Sequence, residues 1–183
     1  MVLKKVFVLL VMALLLQPVQ AQFSKASLQA TGLTCAMCSN AINKALQELP
    51  FVESVKADIK NSAFSIAFKQ GKPVNLDAIR DAVEEAGFFV GGLQVTGTFS
   101  ELGIRAETFT RIGDAWFLFL KTGNRVLNGE QTLRVLDKSF LTAKEFKKIS
   151  ASVSVPSLQT GKAAAGRSGE GPKEGERVFH VTI

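Results

Sequence analysis

The stretch that decides the fold is ATGLTCAMCSNAINKALQEL, residues 30–49. Residues 26–30 alternate between polar and apolar side chains, which is typical of a short half-buried strand. Pro50 ends a helix whose apolar residues recur at helical spacing, namely Ile42, Ala45, Leu46 and Leu49. The stretch therefore predicts a strand, a loop and an amphipathic helix, with the only two cysteines, Cys35 and Cys38, at the junction.

The elements after this helix extend the pattern to residue 95. Residues 55–59 and 64–68 alternate on either side of a turn at Asn61-Ser62, which predicts a β-hairpin. Asn75 is a predicted N-cap for a second amphipathic helix that stops at Gly87, and a strand follows. The order β-α-β-β-α-β over residues 26–95 predicts a ferredoxin-like domain, with two helices on one face of an antiparallel sheet.

Residues 96–183 have a different, mostly β character. They contain predicted strands, turns and one helix: strands over 115–120, 132–136 and 178–183, turns at Gly123-Asn124 and Asn128-Gly129, and a helix over 142–149. Residues 157–175 are rich in small and charged residues, which predicts a flexible loop. We therefore expect an α+β protein whose second domain is a small β-rich unit, an OB-like barrel completed by the last strand.

The first 21 residues have the three-part pattern of a secretory signal peptide. Lys4 and Lys5 precede an apolar run over residues 6–16, and small residues precede Gln22. The run is shorter than the roughly 20 residues that span a bilayer. We expect an exported protein, periplasmic in a Gram-negative bacterium, with Gln22 as its first mature residue; an uncleaved anchor is the alternative.

Composition narrows the classes of function. The net charge of +6 falls to about +4 without Lys4 and Lys5, a mild basic balance that favours acidic partners or membrane surfaces. Basic clusters interleaved with aromatics are absent from the sequence, so we do not expect nucleic-acid binding. The chain has no tyrosine and one histidine, which leaves few groups for acid–base catalysis, and we do not expect an enzyme.

The spacing of Cys35 and Cys38 suggests chemistry. A disulfide that closes so short a loop stabilises a fold weakly, although an exported protein is the usual place for one. Residues three apart on a helical turn can converge on one ion, and a helix N-terminus lowers thiol pKa values. Two thiolates suit a soft ion such as Cu(I), whereas zinc usually takes four ligands.

The segment GLTCAMCS, residues 32–39, resembles the GMTCxxC motif of the heavy-metal-associated domain family, which has a βαββαβ fold. The resemblance covers residues 26–95 and implies that Cys35 and Cys38 are the metal ligands. Leu33 stands where the family usually has a methionine that points into the core. Phe88 matches an aromatic residue that shields the metal from water.

The resemblance also implies a class of metal and of partner. Thr34 replaces the aspartate found in zinc- and cadmium-type members, which favours monovalent Cu(I). The expected export is similar to that of the periplasmic mercury-binding type, so Hg(II), and less readily Zn(II), are alternatives. The implied function is metal trafficking or detoxification by ligand exchange, with a thiol acceptor such as a metal-transporting membrane protein as partner.

Two other functions stay open from the sequence. A Cys-x-x-Cys pair at a helix N-terminus is also typical of thioredoxin-like oxidoreductases. Thr34 and Met37, however, stand where that pattern has Trp and Pro. A disulfide-bonded interaction protein that binds no metal is the third possibility.

Three further features can be explained without a role in metal binding. We expect Met37 to point to solvent rather than to bind the metal, and His180 to lie on the exposed face of its strand. The lysines of the first domain form either a docking face for an acidic partner or an ordinary solvated surface: Lys44, Lys56, Lys60, Lys69 and Lys72.

Overall fold

The computed structural model describes residues 22–33, 36–164 and 171–183. The predicted signal peptide lies outside these residues, as do Thr34 and Cys35. The first half contains the six predicted elements in the predicted order: β1 Gln22–Thr31, α1 Ala36–Gln47, β2 Val52–Asp58, β3 Ala63–Phe68, α2 Leu76–Glu85 and β4 Phe89–Ile104.

The second half continues with four strands and two helices. These are β5 Phe109–Ile112, β6 Ala115–Phe119, β7 Arg125–Val135, α3 Ala143–Ser150, α4 Ser157–Thr160 and β8 Val178–Thr182, with a 3-10 turn at Lys138–Phe140. None of the helices in the described ranges has the length and apolar content needed to cross a bilayer.

The strands of the first half have the predicted ferredoxin-like arrangement. Their order in the sheet is β2-β3-β1-β4, and each neighbouring pair is antiparallel. The buried residues of β1 and β4, such as Leu28 and Leu93, face α1 and α2, whose own buried stripes include Ile42 and Ile79. The arrangement places the β1–α1 loop at one end of the sheet.

The predicted OB-like barrel is wrong, because the sheet is open. All eight strands form one sheet in the order β2-β3-β1-β4-β7-β8-β6-β5. β4 is 16 residues long and pairs with β1 along one edge and with β7 along the other, so the second half extends the first sheet. The predicted boundary between residues 95 and 96 falls inside this strand.

The predicted turn at Asn128-Gly129 is also wrong. Both residues lie within β7, where Gly129 pairs with Phe99 of β4 and has a φ of +71°. The pairing register shifts between Phe99 and Leu102, so the Asn-Gly signal marks a bulge in a continuous strand pair.

Two hydrophobic clusters lie on the two faces of the sheet. The first contains the interior of the ferredoxin-like half together with aromatic residues of both halves; Phe23 of β1, for example, packs 5.8 Å from Phe117 of β6, between ring centroids. The second lies beneath α3 and α4 and includes Leu118, Leu136 and Phe146. The two halves therefore share a core.

The caps of the helices explain where α2 and α3 begin. Asn75 accepts a hydrogen bond from the Ala78 N–H at 3.1 Å, as predicted. Thr142 caps α3 by accepting from the Glu145 N–H at 3.3 Å. The segment predicted as a loop over 157–175 begins with the short helix α4, whose Leu158 is buried; its single apolar residue gives no periodic signal.

Candidate metal-binding site

Two residues at the end of β1 determine the course of the β1–α1 loop. Gly32 has a φ of +86°, a conformation that residues with a Cβ adopt rarely, and it turns the chain away from β1. Leu33 is half-buried and packs against the main core, which agrees with the inward-pointing role that the resemblance implies. These residues fix the point from which the chain enters α1.

Cys38 lies in the first turn of α1 and is partly exposed. The helix is held by Ser39, Ile42 and Leu46, which are buried against the sheet. Cys35, the other predicted ligand, lies outside the described residues. The structure thus places one of the two predicted ligands, at a helix start close to the surface, where an ion and a partner can reach it.

Phe88 lies beside this loop, as the resemblance implies. If Gly32 carried a Cβ atom, that atom would be 3.9 Å from Cδ1 of Phe88. The Phe88 side chain is half-buried against the core. The chain reaches this position through the end of α2, where the Gly87 N–H donates to the Glu84 carbonyl at 2.9 Å and Gly87 has a φ of +88°. Phe88 therefore forms an apolar wall under the loop.

Among the large apolar side chains of the described ranges, Met37 is the most exposed, at 83 %. Adjacent residues on a helix do not face each other, so Met37 and Cys38 point in different directions. Across the described ranges, no group of three or more His, Cys, Asp or Glu side chains could hold a metal ion.

The prediction for His180 is wrong, because its side chain is fully buried. β8 is an interior strand, paired on its edges with β6 (parallel) and β7 (antiparallel), and four consecutive residues from Val178 are buried, so both of its faces are covered. His180 Nδ1 lies 3.1 Å from Asp137 Oδ1, and its Nε2 lies 2.8 Å from Ser157 Oγ. An ionised Asp137 only accepts, so Nδ1 donates to it, and Ser157 Oγ and Nε2 share the second hydrogen bond.

Sequence reasoning missed Asp137 and Ser157 as partners of this histidine. The available signal was a lone polar residue within the apolar run VFHV, which a covered strand tolerates only with hydrogen-bond partners. Ser157 and His180 are 6 % and 0 % exposed, so the serine hydroxyl is not presented to a substrate. The three side chains hold α4 and the end of β7 against β8.

Arg177 connects this buried cluster to the metal-site half. Its Nε lies 2.7 Å from Asp77 Oδ2 in α2, and its Nη1 lies 2.9 Å from Asp137 Oδ1. Its guanidinium also stacks 4.0 Å from the centre of the Phe179 ring. Burial by itself would lower the pKa of Arg177, but the hydrogen bonds and charges of Asp77 and Asp137 raise it. Arg177 therefore remains charged and anchors α2.

Comparisons with known proteins cover the first half. The family model described as "Heavy-metal-associated domain" matches residues 27–89. A probable copper-transporting ATPase of Arabidopsis thaliana is 34% identical over 65 residues, which are 36% of this chain and 6% of that protein. Copper-transporting ATPase 1 of Rhizobium meliloti (strain 1021) is 32% identical over 80 residues, 44% of this chain and 9% of that protein.

A smaller relative is matched over nearly its whole length. Copper chaperone CopZ of Staphylococcus aureus (strain MRSA252) is 28% identical over 67 residues, 37% of this chain and 97% of the chaperone. A solved structure described as "CopZ metallochaperone" is 28% identical, with a TM-score of 0.34, and covers 37% of this chain and 98% of that one. The family match does not extend into the C-terminal half. Residues 27–89 are a heavy-metal-associated domain, similar to a copper chaperone and to small parts of copper-transporting ATPases.

Proposed function

We propose that this protein binds one soft metal ion through Cys35 and Cys38 and passes it on by ligand exchange, with Cu(I) as the first candidate for the ion. The observation that carries the proposal is the heavy-metal-associated match over residues 27–89, with its Cys-x-x-Cys pair at the β1–α1 loop. The names of the relatives support copper as the ion.

Ligand exchange requires an open coordination sphere. Two thiolates satisfy Cu(I) and leave room for a third, so an acceptor thiolate can attack the ion before one of the original cysteines leaves and takes up a proton. The ion keeps its oxidation state throughout. Met37 is exposed and Cys38 is partly exposed at the start of α1, which leaves space for the acceptor, while Phe88 beside the loop would keep water from the ion.

The N-terminal pattern supports export as part of the same proposal. Removal of residues 1–21 would give a protein that begins at Gln22, immediately before the buried Phe23 of β1. The acceptor would be a thiol-bearing protein, with a metal-transporting membrane protein as the natural candidate. Intact mass spectrometry of protein recovered from outside the cytoplasm tests the cleavage point.

The metal site is tested by anaerobic titration of the reduced protein, residues 22–183, with Cu(I) against a competing chelator. We expect one tightly bound ion in the wild type and none in a Cys35→Ser/Cys38→Ser variant. Met37→Leu is the matched control, because it removes a thioether from the same loop at constant size and should leave the affinity unchanged. Binding that survives the loss of both thiols would contradict the proposal.

A further inference from the structure

The first turn of α3 lies against the strands that frame the metal site. Gly91 of β4 lies between the end of β1 and the start of α3. If Gly91 carried a Cβ atom, that atom would be 2.6 Å from Cγ2 of Thr31 and 3.7 Å from Cγ2 of Thr142, the N-cap of α3. Thr31 also donates a hydrogen bond to the Phe89 carbonyl at 3.3 Å. Because Thr31 directly precedes Gly32, α3 begins beside the β1–α1 loop.

The position of α3 is fixed by contacts on its inner side. Phe146 is buried in the second hydrophobic cluster, and Arg134 of β7 forms an ion pair with Glu145 at 2.6 Å. Glu145 also accepts a hydrogen bond from the Thr142 hydroxyl at 3.2 Å. The helix therefore presents one constant face to solvent.

That outer face is basic. Lys144, Lys147 and Lys148 are exposed, and the one acidic residue of the helix, Glu145, is paired with Arg134. Residues 22–95 carry seven basic and seven acidic residues, whereas residues 96–183 carry thirteen and nine. The net positive charge of the mature protein thus belongs to the second half, and Lys144, Lys147 and Lys148 of α3 contribute part of it.

An exposed aromatic residue pairs with the last residue of β1, next to the loop. Phe89, whose carbonyl accepts from Thr31, is 68 % exposed. Interfaces commonly combine an apolar centre with a charged rim. The arrangement has both parts on the side of the loop where α3 begins.

We propose that α3 is a docking surface for an acidic protein partner, the acceptor of the metal ion. This inference rests on the proposed function and adds to it the charge of the partner and the element that selects it. Like-charged acceptors would be repelled, and acidic ones would be steered towards Cys38, an effect on association rate that salt screens. A protein partner fits better than an anionic membrane, because ligand exchange needs a thiol at the loop.

The test uses two synthetic acceptor peptides with the same Cys-Gly-Gly-Cys centre, one flanked by glutamates and the other by lysines. Transfer of Cu(I) from the protein, residues 22–183, is followed by stopped-flow spectroscopy at low and high salt. At low salt we expect the acidic peptide to be loaded about tenfold faster than the basic one, with the preference lost at high salt.

Two variants of equal charge locate the effect. Lys144→Gln/Lys147→Gln/Lys148→Gln should abolish the preference for the acidic peptide. The control is a triple Lys→Gln variant in the first half, where Lys69 and Lys72 follow the end of β3 that pairs with the start of β1, away from the loop, and Lys56 is an exposed residue of β2: Lys56→Gln, Lys69→Gln and Lys72→Gln. The control should retain the preference, and both variants should unfold at the wild-type denaturant midpoint.

Other outcomes would overturn the proposal. A preference that survives in the α3 variant, or that disappears in the control, would place the docking charge elsewhere. If the α3 variant loses binding to phosphatidylserine vesicles but transfers Cu(I) at unchanged rates, α3 binds membranes rather than an acidic protein. Cu(I) uptake without any peptide preference would contradict only the docking surface, whereas a protein that takes up no Cu(I) would contradict the proposed function as well.

Discussion

At the scale of single residues, Arg177 links the two halves, because it pairs with Asp77 of α2 as well as with Asp137. Its side chain is 29% exposed and faces Asp137, whose side chain is 3% exposed. Arg177→Gln leaves that buried carboxylate without its counter-charge, and we expect a loss of about 2 kcal/mol, below the range for fully buried pairs. Urea denaturation measures the effect, with Lys173→Gln, at an exposed lysine nearby in sequence, as the control. Equal stabilities of the two variants would show that the ion pair contributes little.

Ser157 provides a second test at this scale. Ser157→Ala removes the hydroxyl that is hydrogen-bonded to His180 Nε2, and it leaves a buried ring nitrogen without a partner. We expect a cost of about 1–2 kcal/mol in the free energy of unfolding. Ser154→Ala, at an exposed position three residues earlier, should cost almost nothing. If both variants match the wild type, the buried hydrogen bond is not a source of stability.

The burial of His180 could not be predicted from its own neighbourhood. Alternation in residues 178–183 was interpreted with one face in water, as for a strand at the surface of a sheet. In the structure β8 is paired on both edges and covered on both faces. The partners that make this burial possible, Asp137 and Ser157, are 43 and 23 residues away in the sequence.

At the scale of elements, α3 combines a capping box with an ion pair. The pKa of Glu145 is lowered, chiefly by the hydrogen bond from Arg134, from its ordinary value of 4.5. A lowered pKa means that this carboxylate stabilises the fold above about pH 4.5 and that the contribution is lost as the pH falls through the folded value. Since both side chains are about 40 % exposed, we expect a contribution of about 0.5 kcal/mol.

The comparison of wild type with Glu145→Gln measures this contribution. The difference in unfolding free energy should be present at pH 7 and should largely vanish near pH 3, and salt should reduce it at pH 7. Glu174→Gln, at an exposed residue, should show no such dependence. A difference that persists unchanged at low pH would assign the effect to the cap rather than to the charge.

The elements of the first half were predictable because each carries its own local signal. Asn75 caps α2 as predicted, and the alternating runs around Asn61-Ser62 form the predicted hairpin. The second half was predicted less well, because β4 and β7 are long strands whose pairing joins residues far apart in sequence. A bulge at Gly129 inside β7 has the same Asn-Gly signature as a hairpin turn, and only the pairing separates the two.

The sequence predicts where the candidate site lies better than it predicts which elements surround it. The motif and the helix period place Cys38 in the first turn of α1, beside Phe88, as the structure has it. The approach of α3 to Gly91 has no sequence signal, since it depends on how the second half folds back over the sheet.

At the scale of the whole molecule, the shared sheet predicts cooperative unfolding. β4 belongs to both halves, and Phe23 of β1 packs on Phe117 of β6. We expect fluorescence of Trp116, the only tryptophan, and far-UV circular dichroism to report one coincident urea transition. Phe117→Leu, in the second half, should shift both signals together by about 1–2 kcal/mol. Two separate transitions, of which the substitution moves only one, would mean that the halves fold independently.

The proposed metal site requires that Cys35 and Cys38 bind the ion together. Copper K-edge X-ray absorption of the Cu(I)-loaded protein, residues 22–183, tests it most directly, because the spectrum counts the neighbouring atoms and tells sulfur from nitrogen or oxygen. For binding by both cysteines we expect two sulfur neighbours, a spectrum unchanged by Met37→Leu, and no bound copper after Cys35→Ser/Cys38→Ser. A first shell dominated by nitrogen or oxygen, or one that survives the loss of both cysteines, would contradict it.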